Sequence, residues 1–315
     1  MADPILSDAR STAPPMRTPR IYFAAVLGVN SAARPVDVRI EDGTLSLDSL
    51  RMRLSTPRTL ALASLFAFAM PAPSLRAQEN YEIQVYGSET VPRGVTMFEL
   101  HSNFTIRGST LGSSEGLSPT NHALHETVEI THGFNDWSEL GFYWFTSVPS
   151  GQSWQWVGTH VRPRVRVPDS WGWPVGVSIS QEFGYSKASF SGGDTWTYEL
   201  RPIVDKQVGP WYASINPTLE KSLRGQTSNV PFVFSPNVDV GYDVTKRVNL
   251  SVEYYGATGP INRLDPIRDQ EHQIFLATNL DFGPEWEFNF GYGTTLTAEG
   301  DKKIVKMILG RRVGK

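Results

Sequence analysis

Val157-Gly158-Thr159-His160-Val161-Arg162-Pro163-Arg164-Val165-Arg166-Val167 is the stretch that decides the fold. Every second side chain is apolar or weakly polar, and those between are glycine, imidazole or guanidinium. A β-strand turns successive side chains to opposite faces, so one face of this segment suits an apolar phase and the other needs water or counter-charges. A soluble sheet alternates as well. The argument therefore rests on recurrence along the chain.

Twelve alternating segments follow one another between Val95 and Val313, over 95–107, 121–133, 137–148, 154–168, 175–186, 195–206, 211–223, 230–243, 248–258, 270–282, 286–297 and 302–313. Their connections are short and long in turn. Phe134 to Asp136, Asp169 to Pro174, Gln207 to Pro210, Val244 to Arg247 and Gly283 to Glu285 are short and carry turn-forming or tight polar sequences. Gly108 to Thr120, Lys187 to Asp194 and Gly259 to Asp269 are longer and polar. An even number of strands, with short turns at one end and longer loops at the other, is the pattern of an all-β, antiparallel transmembrane barrel. With both termini in the periplasm, the short turns are periplasmic and the long loops extracellular.

Tryptophan placement gives an independent check. Trp137, Trp171, Trp173, Trp211 and Trp286 lie beside short turns, while Trp144, Trp154, Trp156 and Trp196 lie at the opposite strand ends. Two aromatic belts of this kind mark the two membrane interfaces. Composition agrees: the formal charge is only −3 and cysteine is absent, which excludes disulfide staples and thiolate metal sites and gives no reason to expect nucleic acid as a partner.

Ahead of the strands, Arg51, Arg53 and Arg58 precede the apolar run Leu60 to Met70, and a Pro-bearing stretch ends at Leu75-Arg76-Ala77. This has the three regions of a secretory signal peptide. The expected organisation is a non-native or disordered extension over 1–51, a signal peptide over 52–77 cleaved after Ala77, a periplasmic segment or plug over 78–94, and the barrel over 95–313. Tyr81-Glu82-Ile83-Gln84-Val85-Tyr86 alternates like a strand and is the part of 78–94 that would fold inward as a plug.

Placing Leu140, Phe142, Trp144, Val177, Ile179, Phe183, Val238, Val240, Leu250, Val252, Phe288, Phe290, Val305, Met307 and Leu309 on lipid fixes the opposite face as the lumen. The expected lumen-lining set is Glu99, His101, His125, Glu129, Glu139, His160, Arg162, Arg164, Arg166, Glu182, Glu199, Arg201, Asp239, Glu253 and Lys306, with Asp205, Glu220, Asp243, Asp281, Glu287 and Arg312 on the same parity. Arg162, Arg164 and Arg166 form a ladder with steps of about 7 Å, suited to carboxylate or phosphate. Because acids are at least as numerous as bases, the favoured reading is a closed ionic lattice, with Glu139 and Glu182 as partners, over a free anion track. Pro163, Pro202, Pro217 and Pro236 fall on the outward set and predict bulges or weakened pairing. Glu126, also outward, predicts a register slip near the outer rim.

These features together resemble bacterial outer-membrane porin-like β-barrels, from the export core to the closing pair Trp286 to Gly293 and Ile304 to Val313. The closing pair is also similar to transporter-like barrels associated with phenol-degradation loci. The resemblance implies an outer-membrane channel or passive transporter for small polar or aromatic solutes, without catalysis, cofactor or metal. It implies as partners outer-membrane lipid, the barrel-assembly machinery and a small-molecule solute. Such barrels usually end on an aromatic residue; here the last strand runs out as Val313-Gly314-Lys315, an atypical insertion signal.

Three other readings stand beside it. A closed structural barrel needs no path. A soluble β-domain would not need two aromatic belts. A rim enzyme of lipase type would draw on His101-Ser102 or on His122 and Glu126. Adjacent strand residues face opposite ways, so His101 and Ser102 cannot act together, whereas His122 and Glu126 share a face.

Overall fold

The structure is a computed structural model that describes residues 81–110, 117–298 and 300–314. The expected extension over 1–51, the signal peptide over 52–77 and its cleavage site lie outside the described residues. Twelve strands form the chain's architecture: β1 (Val95–Arg107), β2 (Leu124–Asn135), β3 (Ser138–Val148), β4 (Gln155–Arg166), β5 (Gly176–Ser186), β6 (Trp196–Val208), β7 (Trp211–Arg224), β8 (Val233–Thr245), β9 (Val248–Ala257), β10 (Glu271–Leu280), β11 (Trp286–Thr295) and β12 (Lys302–Gly314). Each pairs antiparallel with its chain neighbours, and β1 closes on β12 from Val95 opposite Gly314 to Arg107 opposite Lys302. Closure leaves no sheet edge with unpaired backbone groups, which is the condition for a sheet to cross a membrane.

Side-chain alternation follows the sequence reading. In β3 Glu139, Gly141, Tyr143 and Phe145 are buried, while Leu140, Phe142 and Trp144 are exposed. Ile179, Phe183, Val240, Leu250, Val252, Phe290 and Leu309 are likewise exposed on the outer wall. Exposed Trp137, Trp171, Trp173, Trp211 and Trp286 mark the short-turn end, and exposed Trp144, Trp154 and Trp196 the other. There Trp144, Trp156, Tyr185 and Trp196 form a chain of rings across β3 to β6, with centroids 5.6, 5.9 and 5.3 Å apart. Such aromatic rows suit an interface where one ring edge is wet and the face apolar.

The register departs from simple alternation at four places: Gly133/Asn135, Phe145/Thr146, Trp196/Thr197 and Asp243/Thr245. None is at a proline. Around Pro163 the β4–β5 pairing pauses between Val161 opposite Phe183 and Arg164 opposite Ser180, with no change of register. Around Pro202 and Pro217 the β6–β7 pairing pauses between Leu200 opposite Leu219 and Val204 opposite Ile215. Pro217 then stands opposite Pro236. The missing N–H groups weaken the ladder without adding a residue to it.

The shift at Phe145/Thr146 has a structural consequence. Trp156 pairs with Thr146 and Gly158 with Phe145, so Val157 is the extra residue of β4. The bulge turns Val157 inward, where it is fully buried, instead of onto lipid as strict alternation expects. Glu126 stays on the outward row, opposite Ser102 and Thr146, so the rim irregularity it foreshadowed belongs to the β3–β4 pair and not to β2.

Candidate functional site

The interior is occupied by the chain's own residues 81–94. Tyr81, Ile83 and Tyr86 of this segment are buried. Tyr81 meets His125 and Phe145 edge-on, with ring centroids 4.5 and 6.0 Å away, in a socket that includes Tyr143, Val157 and Phe190. Ile83, with Val85 packed beside it, enters a second apolar socket of Tyr255, Phe275 and Ile304. Phe145, Phe275, Ile304 and Ile308 therefore point inward among the charges. The parity rule put them there, since Ile304 and Ile308 flank Lys306 on its own face, but a search for charged residues passes them over.

Up to Pro92 the segment forms no β-bridge among the described residues, and much of its backbone finds partners among side chains instead. It does so around the wall. Thr127 Oγ1 donates to the Tyr81 carbonyl at 2.8 Å, and Lys306 Nζ to the Ile83 carbonyl at 3.0 Å. The Tyr86 carbonyl accepts from Ser214 Oγ at 2.6 Å and Asn216 Nδ2 at 3.0 Å, while its N–H donates to Asn216 Oδ1 at 2.8 Å. Ser88 donates to Asp205 through N at 2.9 Å and Oγ at 2.6 Å. Arg164 donates to the carbonyls of Gly87 and Glu89, and Val91 N donates to Glu139 Oε2 at 2.6 Å. Gly94 N donates to Gly133 O at 2.8 Å where the segment joins β1. β2, β3, β4, β6, β7 and β12 thus all hold it.

The arginine ladder lies along this segment. Arg162 ion-pairs with Glu129 at 2.7 Å and Glu139 at 3.4 Å, and Arg164 Nε with Glu139 at 2.7 Å. Arg166 pairs with Asp169 in the β4–β5 connection. The reach of Arg162 from β4 to Glu129 on β2 passes over Gly141 of β3, which stands between Thr131 and Arg162 in the two registers. A Cβ at Gly141 would lie 3.0 Å from Thr131 Oγ1 and 3.4 Å from Arg162 Nε, so glycine keeps this crossing open.

Glu182 does not partner the ladder, as the sequence expectation had it. It pairs with His160 one strand away, because His160 opposite Gly184 meets no side chain there and turns along the wall. Arg201 takes Glu199 at 2.7 Å and approaches Glu82 at 3.9 Å. Lys306, fully buried, pairs with Glu253, which also accepts from Tyr255 Oη at 2.8 Å. His101, fully buried, lies 3.4 Å from Glu129. His125 and Asp239 are buried and Glu99 is half-buried. Asp243 and Asp281 are exposed at the short-turn end, where the ring of strands gives way to solvent. Beside those apolar residues, Tyr143, Ser214 and Asn216 are among the uncharged lumen residues that a charge-based reading passes over.

The rim acid–base pair is not assembled. His122 sits outside β2 in a left-handed turn, φ 58°, with its exposed ring stacked on Phe104 at 6.4 Å. Glu126 faces outward opposite Thr146, and no hydrogen bond or ion pair joins the two among the described residues.

Two cavities adjoin the internal segment. One, of about 270 Å³, lies at the long-loop end against Tyr81 and Glu82 and is walled by His125, Phe145, His160, Glu182, Phe190 and Arg201 among others. The other, of about 860 Å³, lies at the short-turn end against Gln84 and Tyr86 to Pro92, with Arg162, Arg164, Arg166, Glu139 and Arg312 on its wall.

No family model matches the sequence, and no curated protein matches it. Among solved structures, the chain is similar to an outer-membrane channel from Pseudomonas putida F1 at 13% identity, covering 74% of this chain and 100% of that one, with a TM-score of 0.52. It is also similar to the KdgM porin in complex with disordered oligogalacturonate at 8% identity, over 70% and 99% of the two chains, with a TM-score of 0.44. A third likeness is to the Acinetobacter baumannii outer-membrane protein Omp33 at 9% identity, over 72% and 100%, with a TM-score of 0.39. The likeness to the Pseudomonas channel is one of fold: this chain shares the architecture of a closed, porin-like β-barrel, here of twelve antiparallel strands.

Proposed function

We propose that the protein is an outer-membrane channel for small polar or aromatic solutes, in which residues 81–94 act as an internal plug. The observation that carries this reading is the pair of cavities, one against Tyr81 and Glu82 at the long-loop end and the other against Gln84 to Pro92 at the short-turn end. Twelve strands lie between the eight that side chains can fill and the sixteen that leave a water channel, so an inner segment suffices to close the bore.

With the short turns periplasmic, a solute enters from the cell exterior into the smaller cavity. Tyr81, Phe145 and Phe190 there suit a planar ring, and His125, His160, Glu182 and Arg201 suit polar substituents. The path onward requires the segment to leave its two sockets. Export follows the signal peptide over 52–77, and N-terminal sequencing of the exported protein is expected to begin at Gln78.

Single-channel recording in planar bilayers tests the reading, paired with solute uptake into liposomes. Long silent periods broken by discrete openings are expected, with openings more frequent when Asn216→Ala and Ser214→Ala together weaken the grip on Tyr86. A barrel that stays silent in both forms, and admits no solute, would favour the rival reading of a closed structural barrel, which the ion-pair density of the interior also fits.

A further inference from the structure

Within the wall below Arg162, three metal-ligating side chains converge from two strands. Glu99 and His101 are two residues apart on β1 and share its inner face, and Glu99 stands directly opposite Glu129 of β2. One ligand atom from each lies within 4.8 Å of the others. His101 and Glu129 are both 0% exposed.

Their unused atoms point to a missing ligand. Among the described residues His101 Nδ1 has no hydrogen-bond partner, and His101 Nε2 and Glu129 Oε2 have only each other, as an ion pair at 3.4 Å that falls short of a well-aligned hydrogen bond. The other oxygen of Glu129 is held by Arg162 at 2.7 Å and by Thr131 Oγ1 at 2.7 Å, which aims Oε2 at the histidine. A fully buried polar atom without a partner, such as His101 Nδ1, is costly and rare.

Charge adds a second argument. Arg162 and Arg164 serve Glu129 and Glu139, and Arg312 serves Glu287. Glu99 has no ion pair among the described residues, yet it adjoins both Glu129 and Glu287. Gly310 separates it from Glu287, and a Cβ there would be 3.0 Å from Glu99 Cγ and 3.2 Å from Glu287 Cβ. This corner of the interior therefore carries one more carboxylate than guanidinium.

We propose that Glu99, His101 and Glu129 bind a first-row divalent cation such as Zn²⁺. One imidazole nitrogen with two carboxylate oxygens is a donor set for such ions, whereas calcium and magnesium take oxygen alone. Zinc–ligand bonds of about 2.0 to 2.2 Å require the three atoms to draw together, and half-buried Glu99 is the least enclosed of the three. Glu99 also borders the larger cavity, together with Met97 and Thr131, so the cation has a route from the short-turn end. The site does not depend on solute conduction.

The test uses the full chain without a polyhistidine tag, extracted in detergent, stripped with chelator and titrated separately with Zn²⁺ by calorimetry and with Co²⁺ by visible absorption. One equivalent is expected to bind, with absorption bands of a nitrogen–oxygen site. His101→Ala and Glu99→Gln should each weaken binding by about tenfold or more, and His122→Ala, at the exposed rim, should leave it unchanged. Folding of each variant is read from heat-modifiable gel mobility. Should His101→Ala fail to fold, the milder Glu99→Gln decides. Absence of binding by the unaltered protein, or undiminished binding by folded Glu99→Gln, would overturn the proposal, whether or not the barrel conducts.

Discussion

The guanidinium of Arg162 sits 4.6 Å from the centre of the Tyr86 ring, with Arg201 at 4.9 Å and Arg164 at 5.7 Å from the same ring. A tyrosine from the internal segment thus rests among three cations of the wall, each shared with a carboxylate. Tyr86 Oη also donates to Glu82 and contacts Tyr143 Oη at 3.2 Å. Desolvated cation–π contacts are worth about 2 kcal/mol each, so this ring is a main anchor of the segment.

Replacing Tyr86 separates these contributions. Tyr86→Phe keeps the cation contacts and loses the hydroxyl bonds; Tyr86→Ala loses both. Open probability in bilayers is expected to rise in the order wild type, Phe, Ala. Equal open probability in all three would remove the plug from the gating account.

Glu139 is the junction of wall and segment, accepting from Arg162, Arg164 and Val91 N. Glu139→Gln leaves buried Arg164 without its carboxylate, while Arg162 keeps Glu129, and breaking one side of such a buried pair costs about 3 to 5 kcal/mol. The temperature at which gel mobility converts to the unfolded form should fall clearly. Arg162, Arg164 and Arg166 changed together to Ser should likewise lower stability while leaving ion selectivity unchanged. A reversal of selectivity would instead identify a working anion track.

Gly141 is expected to tolerate no branched or long side chain. Gly141→Ala brings a methyl to tight contact with Thr131, and Gly141→Leu fills the gap that Arg162 crosses to Glu129. Overpacking of this kind costs about 1 to 3 kcal/mol, to which the lost pair adds. The same gel assay should rank wild type above Ala above Leu; a Leu variant as stable as wild type would mean the crossing contributes nothing.

Pro202, Pro217 and Pro236 stand in one row across β6, β7 and β8, where the β6–β7 pairing pauses. Amides beside them, at Arg201, Ile203, Asn216 and Thr218, should exchange hydrogen faster than those at the middle of β1 and β12, whose pairing runs unbroken from Val95 to Thr105. Uniform protection around the ring would refute a weak seam.

What the sequence by itself determined is everything that depends on neighbours along the chain. The twelve strands, their order, the two tryptophan belts and the inward set from Glu99 to Lys306 are consequences of alternation, because lipid and interior impose opposite demands on successive residues. Tertiary structure alone decided who meets whom inside. The inward turn of Val157 depends on a one-residue bulge between β3 and β4, and nothing local in a valine announces it. Arg162 reaches past β3 to Glu129, and Glu182 takes His160, because register and missing side chains at Gly141 and Gly184 set the distances. The alternating segment Tyr81 to Tyr86 reads equally as a periplasmic strand or an inner one. Its place was fixed by two apolar sockets and by side chains of strands far apart in sequence, contacts that exist only once the barrel has closed.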